Sequence, residues 1–218
     1  MGYNVAIDGP AGAGKSTIAK LVAKEKGYIY VDTGAMYRGL AIHFLDKGIA
    51  AEDIEKIICA CDDADVTIRY ENGVQQVYLN DVNITSRLRD ETVGSMASKS
   101  SAIPEVRAKL LELQRGLART QDVIMDGRDI GTCVLPDADV KVYLTASVET
   151  RAKRRYKELV EKGVSCDFNE IARDIEERDH RDMTRETAPL KQADDAVLLD
   201  SSDMTIEEVV KAISDLCK

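Results

Sequence analysis

The segment GPAGAGKST, residues 9–17, governs the interpretation of the whole chain. It matches the pattern G-x-x-x-x-G-K-[ST], in which glycines let backbone N–H groups turn toward phosphate oxygens. In such a loop Lys15 would reach the β- and γ-phosphates of a nucleotide, and the Ser16 hydroxyl would face Mg²⁺. The pattern is specific only between a strand and a helix, so the flanking segments are the first test of it.

Both flanks agree with the loop. The run YNVAID (3–8) is short, apolar and β-branched, which predicts a buried strand. Residues 15–26 predict a helix that Gly27 closes. The pattern then continues with a strand at 28–32 and helices at 34–46 and 52–61.

The sequence changes character after residue 61. In VTIRYENGVQQVYLN (66–80), two β-type runs flank Asn72-Gly73, a dipeptide typical of tight hairpins. DVNIT (81–85) could add a third strand. We therefore expect residues 62–94 to form a small antiparallel insert, separate from the main sheet.

The second half of the chain alternates strands and helices again. Helical character over 91–119 restarts at Pro104, which suits a first helical position. Strands are predicted at 122–126, 140–145 and 196–200, and helices at 147–163, 167–186 and 202–217, with Ser147 and Thr205 as N-caps. The sequence thus predicts an α/β protein with a parallel five-stranded sheet and helices on both faces.

Composition restricts the class of protein. The 218 residues carry 39 acidic and 30 basic side chains, a net charge of −9, which argues against a long nucleic-acid partner. Five cysteines without framework spacing favour free thiols in a reducing compartment. With no signal peptide and no long apolar run in the sequence, we expect a cytoplasmic protein that does not bind membranes.

Other phosphate-loop proteins lack support in the sequence. A GTPase would need a guanine-reading N-K-x-D motif, and a transporter ATPase would need an L-S-G-G-Q-like motif; the chain contains neither. A small kinase and a nucleotide-gated binding module with no substrate both remain open.

Further charged residues follow the predicted strands. Arg38 lies after the second strand, and Asp126, Arg128 and Asp129 end or follow the third; ligands of open α/β folds bind at this edge. The predicted helix 167–186 places Arg178, Asp182 and Arg185 on one face, although a solvated, ion-paired surface helix would show the same pattern. Arginines gathered beside a phosphate loop suit transfer between two phosphorylated small molecules.

Four ordered motifs carry a family resemblance. They are IDGPAGAGKST, DTGAMYR, DGRDIGTCVLPDADVKVYLTAS and ERDHRDMTRETAPL. Together with the insert, they make the sequence resemble the bacterial cytidylate kinases, which phosphorylate CMP and dCMP with ATP. The resemblance implies a P-loop kinase fold with a core of residues 1–61 and 95–218, a short lid at about 151–166, and the 62–94 β insert beside the monophosphate site.

The resemblance also implies roles for individual residues. ATP would be bound by Gly9, Pro10, Ala11, Gly12, Ala13, Gly14, Lys15, Ser16, Thr17, Arg154 and Arg155. CMP would be bound by Thr33, Tyr37, Arg38, Ser98, Arg107, Arg128, Asp129, Arg178, Asp182 and Arg185. Lys15, Arg128, Arg185 and Asp126 would act in catalysis, and Ser16, Thr17 and Asp126 would lie near Mg²⁺, partly through water. The family pattern also implies a monomer whose partners are ATP and CMP or dCMP.

The chemistry of the bases agrees with one of these roles. Cytosine presents a 4-amino donor that the Asp129 carboxylate can accept, whereas uracil presents a carbonyl there. Because some relatives carry Gly at the position of Ser16, either Ser16 or Thr17 could supply the hydroxyl near Mg²⁺. A UMP/CMP or adenylate-type kinase with another acceptor is the alternative within enzymes.

Overall fold

The computed structural model describes residues 2–218. In chain order, the strands are β1 (Asn4–Asp8), β2 (Ile29–Asp32), β3 (Val66–Glu71), β4 (Val74–Leu79), β5 (Val82–Asn83), β6 (Val123–Gly127), β7 (Val140–Thr145) and β8 (Val197–Asp200). The helices are α1 (Lys15–Lys26), α2 (Thr33–Asp46), α3 (Ile54–Cys61), α4 (Glu91–Ser100), α5 (Pro104–Thr120), α6 (Val148–Glu161), α7 (Phe168–Thr184) and α8 (Ile206–Ser214).

Five strands form one parallel sheet in the order β2-β6-β1-β7-β8. The predicted five-stranded parallel sheet is therefore confirmed. In the register of its central pair, Ile7 of β1 lies opposite Asp126 of β6, and Asp8 lies opposite Gly127. This register brings the carboxyl ends of the central strands, and the loops that follow them, to one edge of the sheet.

The central strands are buried on both faces, as alternating side chains show. Val5 and Ile7 of β1 pack with α1 and α8, while Ala6 packs with the opposite core, which includes α2 and α5. Alternation of this kind explains the nearly continuous apolar runs of the parallel strands. Within residues 2–218, none of the helices has both the length and the apolar character needed to span a bilayer.

Local sequence signals fix several helix ends. Gly27 adopts a left-handed conformation (φ 73°) after α1, as the sequence predicts. Ser147 caps α6 by accepting from the N–H of Thr150, and Thr205 forms a capping box with Glu208 at the start of α8. The last helix thus begins only at Ile206, later than the predicted 202.

The insert is a separate three-stranded antiparallel sheet, β3-β4-β5. Asn72 and Gly73 both have positive φ (51° and 76°), as the predicted two-residue hairpin turn requires. Side chains attach this sheet to the edge of β2. The Gln75 amide accepts from the Asp32 N–H (2.9 Å) and donates to the Asp32 carbonyl (3.1 Å), while the Tyr70 hydroxyl donates to the Tyr30 carbonyl (3.1 Å).

Two features near the cleft differ from the sequence-based expectation. Helix α7 ends at Thr184, and Arg185 adopts an extended conformation (φ −63°, ψ 141°), so Arg185 is not on the helical face predicted for it. The residues after β6 form a π-helical turn, Ile130–Val134, in a segment without a helical pattern. Hydrogen bonds outside the local pattern accompany both departures: Asp8 accepts from the Ile130 and Gly131 N–H groups, and Arg185 donates from Nε to the Ala188 carbonyl at 2.8 Å.

Candidate active site

A cleft of about 470 Å³ opens at the carboxyl ends of β1, β2 and β6. The glycine loop forms one end, while α2, α4, α5 and the end of α7 contribute to the rest of its wall. The side chains that line it are strongly cationic, and they include Lys15, Arg38, Arg89, Arg107, Arg128, Arg151, Arg154, Arg155, Arg178 and Arg185. Such a cleft in a chain with a net charge of −9 favours small anionic ligands.

The glycine loop is held by its backbone geometry. A Cβ on Gly9 (φ 148°) would lie 1.9 Å from the Leu144 carbonyl oxygen, so only glycine fits between the loop and β7. Gly14 is left-handed (φ 89°) and precedes α1 as its N-cap residue. Buried Lys15 donates from Nζ to the Pro10 carbonyl (2.7 Å). Burial and the nearby Arg128 lower the pKa of Lys15 well below its usual value.

Asp126 forms a polar cluster below the loop. Its two carboxylate oxygens accept from the hydroxyls of Ser16 (2.8 Å) and Tyr30 (2.8 Å), and its backbone carbonyl accepts from Thr33 (2.7 Å). Burial and the adjacent Asp32 raise the pKa of Asp126. The hydroxyl and carboxylate oxygens are of the type that Mg²⁺ prefers.

This cluster fits a metal ion bound chiefly by phosphate and water. Over residues 2–218, no group of three or more His, Cys, Asp or Glu side chains is arranged to hold a metal. Mg²⁺ in phosphate sites commonly uses only one or two carboxylates together with substrate phosphates and waters. Ser16 and Asp126 could provide such a set, whereas Thr17 lines the cleft at an exposed position.

Charged pairs organise the other half of the cleft. Asp129 is ion-paired with Arg107, and Arg185 lies 3.7 Å from its second oxygen. Arg128 donates from Nε to Asp182 (2.8 Å). Although burial opposes it, Arg128 lowers the pKa of Asp182. These pairs hold the arginines in place before any ligand arrives.

Several buried donors on residues that line this half have no hydrogen-bond partner among residues 2–218, although one of them, Nη2 of Arg185, lies within ion-pair distance of Asp129. The Nε of Arg178, the Nη2 of Arg185 and the hydroxyl of Ser98 lack hydrogen bonds in the part of the chain that the structure describes. Burial and the nearby Arg128 lower the pKa of Arg178 to about 10, which still leaves it charged at neutral pH. Buried donors without partners are costly unless a ligand satisfies them, so this half is suited to an anion.

The structure brings most of the predicted site residues together. All the residues predicted to bind CMP line the cleft, as do Asp126, Arg154, Arg155 and six of the nine loop residues. Gly9, Pro10 and Ala13 do not line it. Pro10 instead accepts from Lys15, and Gly9 contacts β7, so these two residues shape the loop from behind.

Other lining residues had no individual role in the sequence-based assignment, among them Asp32, Arg89, Ser101, Arg151 and Glu158, although the last two lie within the predicted lid, residues 151–166. Arg151 is the clearest case, because the basic stretch 151–157 has the appearance of a solvated surface. It is instead 4% exposed and contacts Asp179 at 2.7 Å and the Ala11 carbonyl at 3.0 Å. Its position at the first turn of α6, directly behind the loop, gave no distinguishing pattern in the sequence.

The two arginines predicted to contact ATP differ in environment. Arg154 donates to the Ser201 carbonyl at 2.8 Å and points toward Gly14, whereas Arg155 pairs with Glu158 at 2.9 Å in a half-exposed position. Both line the cleft beside the glycine loop. Because exposed ion pairs are weak, the Arg155 side chain can leave Glu158 and turn toward a ligand more easily than the Arg154 side chain can leave Ser201.

Known proteins resemble this chain along its length. The family model described as Cytidylate kinase matches residues 5–218. A cytidylate kinase from Caldicellulosiruptor saccharolyticus is 51% identical over 98% of this chain and 94% of its own length. One from Lactobacillus johnsonii is 48% identical over 97% and 92%, respectively.

A solved structure supports the fold alone. An uncharacterized protein from Eubacterium ventriosum superposes with a TM-score of 0.55 at 12% identity, covering 99% of this chain and 97% of that one. The match to the family model and the identity to curated relatives extend across the glycine loop, the arginine-lined half and the insert. The chain belongs to the cytidylate kinase family.

Proposed function

We propose that this protein transfers the γ-phosphoryl group of ATP to CMP, and also to dCMP, giving CDP or dCDP and ADP. The observation that carries the proposal is the two-part cleft, with a phosphate loop at one end and arginines around Asp129 at the other. Membership of the cytidylate kinase family supports the same reaction.

The donor half would be built on residues 9–17. The backbone N–H groups of the loop and the N-terminus of α1 would receive the ATP phosphates, with Lys15 near the transferred group. Ser16 and Asp126, joined at 2.8 Å, would hold Mg²⁺ partly through water, with Thr17 beside them. When bound, Mg²⁺ would neutralise charge on the β- and γ-phosphates.

The acceptor half would bind the monophosphate. Thr33, Tyr37 and Arg38 at the start of α2 would contact it, with Arg38 on the phosphate. Ser98, Arg107 and Asp129 would face the cytosine. The unsatisfied donors of Ser98 and Arg185 described above support a ligand at this place.

The remaining contacts would come from the segments that carry the buried ion pairs. Arg128 and Arg185 would bind phosphate, and Arg178 and Asp182 would face the sugar. The proposed lid, residues 151–166, and the proposed insert, residues 62–94, would close over the two nucleotides. Closure would exclude water and limit ATP hydrolysis.

Catalysis would rest on positioning and charge stabilisation. The acceptor oxygen of CMP is already ionised at neutral pH, so no protein base is needed to start the transfer. Lys15, Arg128 and Arg185 would stabilise the charge on the transferred group, and Asp126 would orient the Ser16 hydroxyl.

A panel of nucleoside monophosphates tests the proposal directly. ADP release from ATP is measured with CMP, dCMP, UMP and AMP at equal concentrations. We expect CMP and dCMP to be turned over and UMP to be much poorer. Equal turnover of AMP, or no CMP-dependent ADP release, would refute the proposal.

We also propose that the enzyme works as a monomer in the cytoplasm. All five cysteines are free in the structure, which agrees with a reducing compartment. Light scattering of the purified protein, with and without ATP and CMP, tests the oligomeric state; a dimer mass at micromolar concentration would contradict the proposal.

A further inference from the structure

The carboxylate of Asp8 joins two loops of the cleft. It lies at the last position of β1, directly before Gly9, and is 5% exposed. Oδ1 accepts from the Ile130 N–H at 2.8 Å, and Oδ2 accepts from the Gly131 N–H at 2.7 Å. A residue at the root of the phosphate loop thereby holds a backbone segment 122 positions further along the chain.

The side-chain chemistry suits this contact. Two consecutive backbone N–H groups need two acceptors at a fixed spacing, and an ionised carboxylate offers two acceptors and no donor. An asparagine of the same shape would offer only one acceptor, and its NH₂ group would face the other N–H. The segment also lies close to Asp8, since a Cβ on Gly131 would be 3.4 Å from Oδ2 and 3.2 Å from the side chain of Lys141.

The held segment begins at the proposed base-reading residue. Ile130 follows Asp129 directly, so the peptide group that joins them carries the N–H bound by Asp8. Asp129 in turn is ion-paired with Arg107 and lies 3.7 Å from Arg185. A shift of the Ile130 peptide would therefore move the carboxylate that the proposed function places against the cytosine amino group.

We propose that Asp8 is a positioning residue for base selection, which fixes the backbone after Asp129 and so aims the Asp129 carboxylate at the acceptor base. The role rests on the proposed function. Asp8 itself contacts neither nucleotide in this scheme, and it acts through the Ile130 and Gly131 amides.

The Ile130 and Gly131 amides stabilise the ionised form of the buried Asp8 carboxyl group. Burial raises the pKa of Asp8 to about 6, and the two backbone hydrogen bonds oppose that shift. Asp129 raises the pKa further and Lys15 lowers it. Burial, together with the charges of Asp179 and Asp8, raises the pKa of Tyr143. The backbone amides are thus a principal stabiliser of the ionised form.

Asp8→Asn tests the role through the ratio of kcat/KM for CMP to that for UMP. We expect this ratio to fall by about tenfold, because that is the effect of losing one charge-assisted hydrogen bond, here the one between the Asp129 carboxylate and the cytosine amino group. The KM for ATP should change by less than about twofold. A role limited to stability would lower both activities together and leave the ratio unchanged.

Asp139→Asn is the matched control, because Asp139 accepts from the Asn4 N–H at 2.8 Å at the opposite end of β1. Its CMP-to-UMP ratio is expected to stay at the wild-type value. An unchanged ratio in Asp8→Asn overturns the positioning role alone. A wild-type enzyme with no preference for CMP overturns the proposed function and this role with it.

Hydrogen exchange on the wild-type protein gives a test that needs no variant. If the two bonds persist in solution, the Ile130 and Gly131 amides exchange as slowly as those of β6. Exchange at the rate of exposed loop amides would overturn the proposal, even if Asp8→Asn does not fold.

Discussion

Replacing Arg151 by methionine should strongly destabilise the protein, although the residue lies in a basic, surface-like stretch. The Arg151 and Asp179 side chains are 4% and 11% exposed and 2.7 Å apart. Arg151 also donates to the Ala146 carbonyl at 2.8 Å and the Ala11 carbonyl at 3.0 Å. The variant leaves the Asp179 carboxylate buried without its cation.

The magnitude follows from that loss. Breaking a buried ion pair by removing one partner costs about 3–5 kcal/mol, because the remaining charge is uncompensated. For a domain of this size, about 1 kcal/mol shifts the melting temperature by about 2–4 °C, so we expect Tm to fall by about 6–20 °C. The KM for ATP should also rise, since Arg151 holds the Ala11 carbonyl of the phosphate loop.

Thermal and urea unfolding of Arg151→Met measure this effect. Arg155→Met is the matched control, one turn further along α6, where the pair with Glu158 is 47% and 46% exposed. Its cost should stay below about 1 kcal/mol. In the double variant Arg151→Met/Asp179→Asn, much of the loss should be recovered. A cost below about 1 kcal/mol for Arg151→Met, or full additivity of the two changes, would refute the reasoning.

Four further outcomes are expected. Lys15→Ala should lose at least about a hundredfold in kcat while its circular dichroism spectrum stays unchanged, and near-wild-type turnover would contradict its place in the phosphate loop. Asp129→Ala should shrink the kcat/KM preference for CMP over UMP; unchanged selectivity would remove this residue from the base site. Gln75→Ala should raise the KM for CMP several-fold, because the Gln75 amide holds the Asp32 backbone at the start of α2. The control variant Gln76→Ala should leave this KM unchanged, and equal KM values for the two variants would argue against a role of the Gln75–Asp32 contact in CMP binding. The pKa of Asp8 is raised to about 6 in the native state, above its usual 3.8, so the native state takes up a proton before the unfolded state does as pH falls. The unfolding free energy of wild type, relative to that of Asp8→Asn, should therefore increase by up to about 3 kcal/mol between pH 7 and pH 4. A difference that does not change with pH in urea titrations would contradict this expectation.

The sequence predicted the features that depend on near neighbours. The glycine loop, the Asn72-Gly73 turn and the Ser147 cap are set by a few adjacent residues, and the structure has all three. The five parallel strands were recognisable because buried strands need continuous apolar runs. The arginines at the strand ends were found because open α/β sheets bind ligands at that edge.

The features that escaped prediction depend on distant partners. Asp8 was visible only as a polar interruption in an apolar run, since its partner amides lie more than 120 positions away. Arg151 had the pattern of a surface residue because Asp179 is on another helix. Arg185 was assigned to a helix that in fact ends at Thr184, one residue before it. Pairings of this kind have no spacing in the sequence to reveal them.

The attachment of the insert to β2 also bears on solubility. β2 is an edge strand of the parallel sheet, and a bare edge offers its backbone groups to a strand of another molecule. The side chains of Tyr70 and Gln75 bind the Tyr30 carbonyl and both backbone groups of Asp32, in the place that a sixth strand of the sheet would take. A shortened chain without residues 62–94 would leave this edge open to intermolecular pairing. We therefore expect a chain that lacks residues 62–94 to aggregate more readily than the full chain, whether or not the insert also closes over substrate.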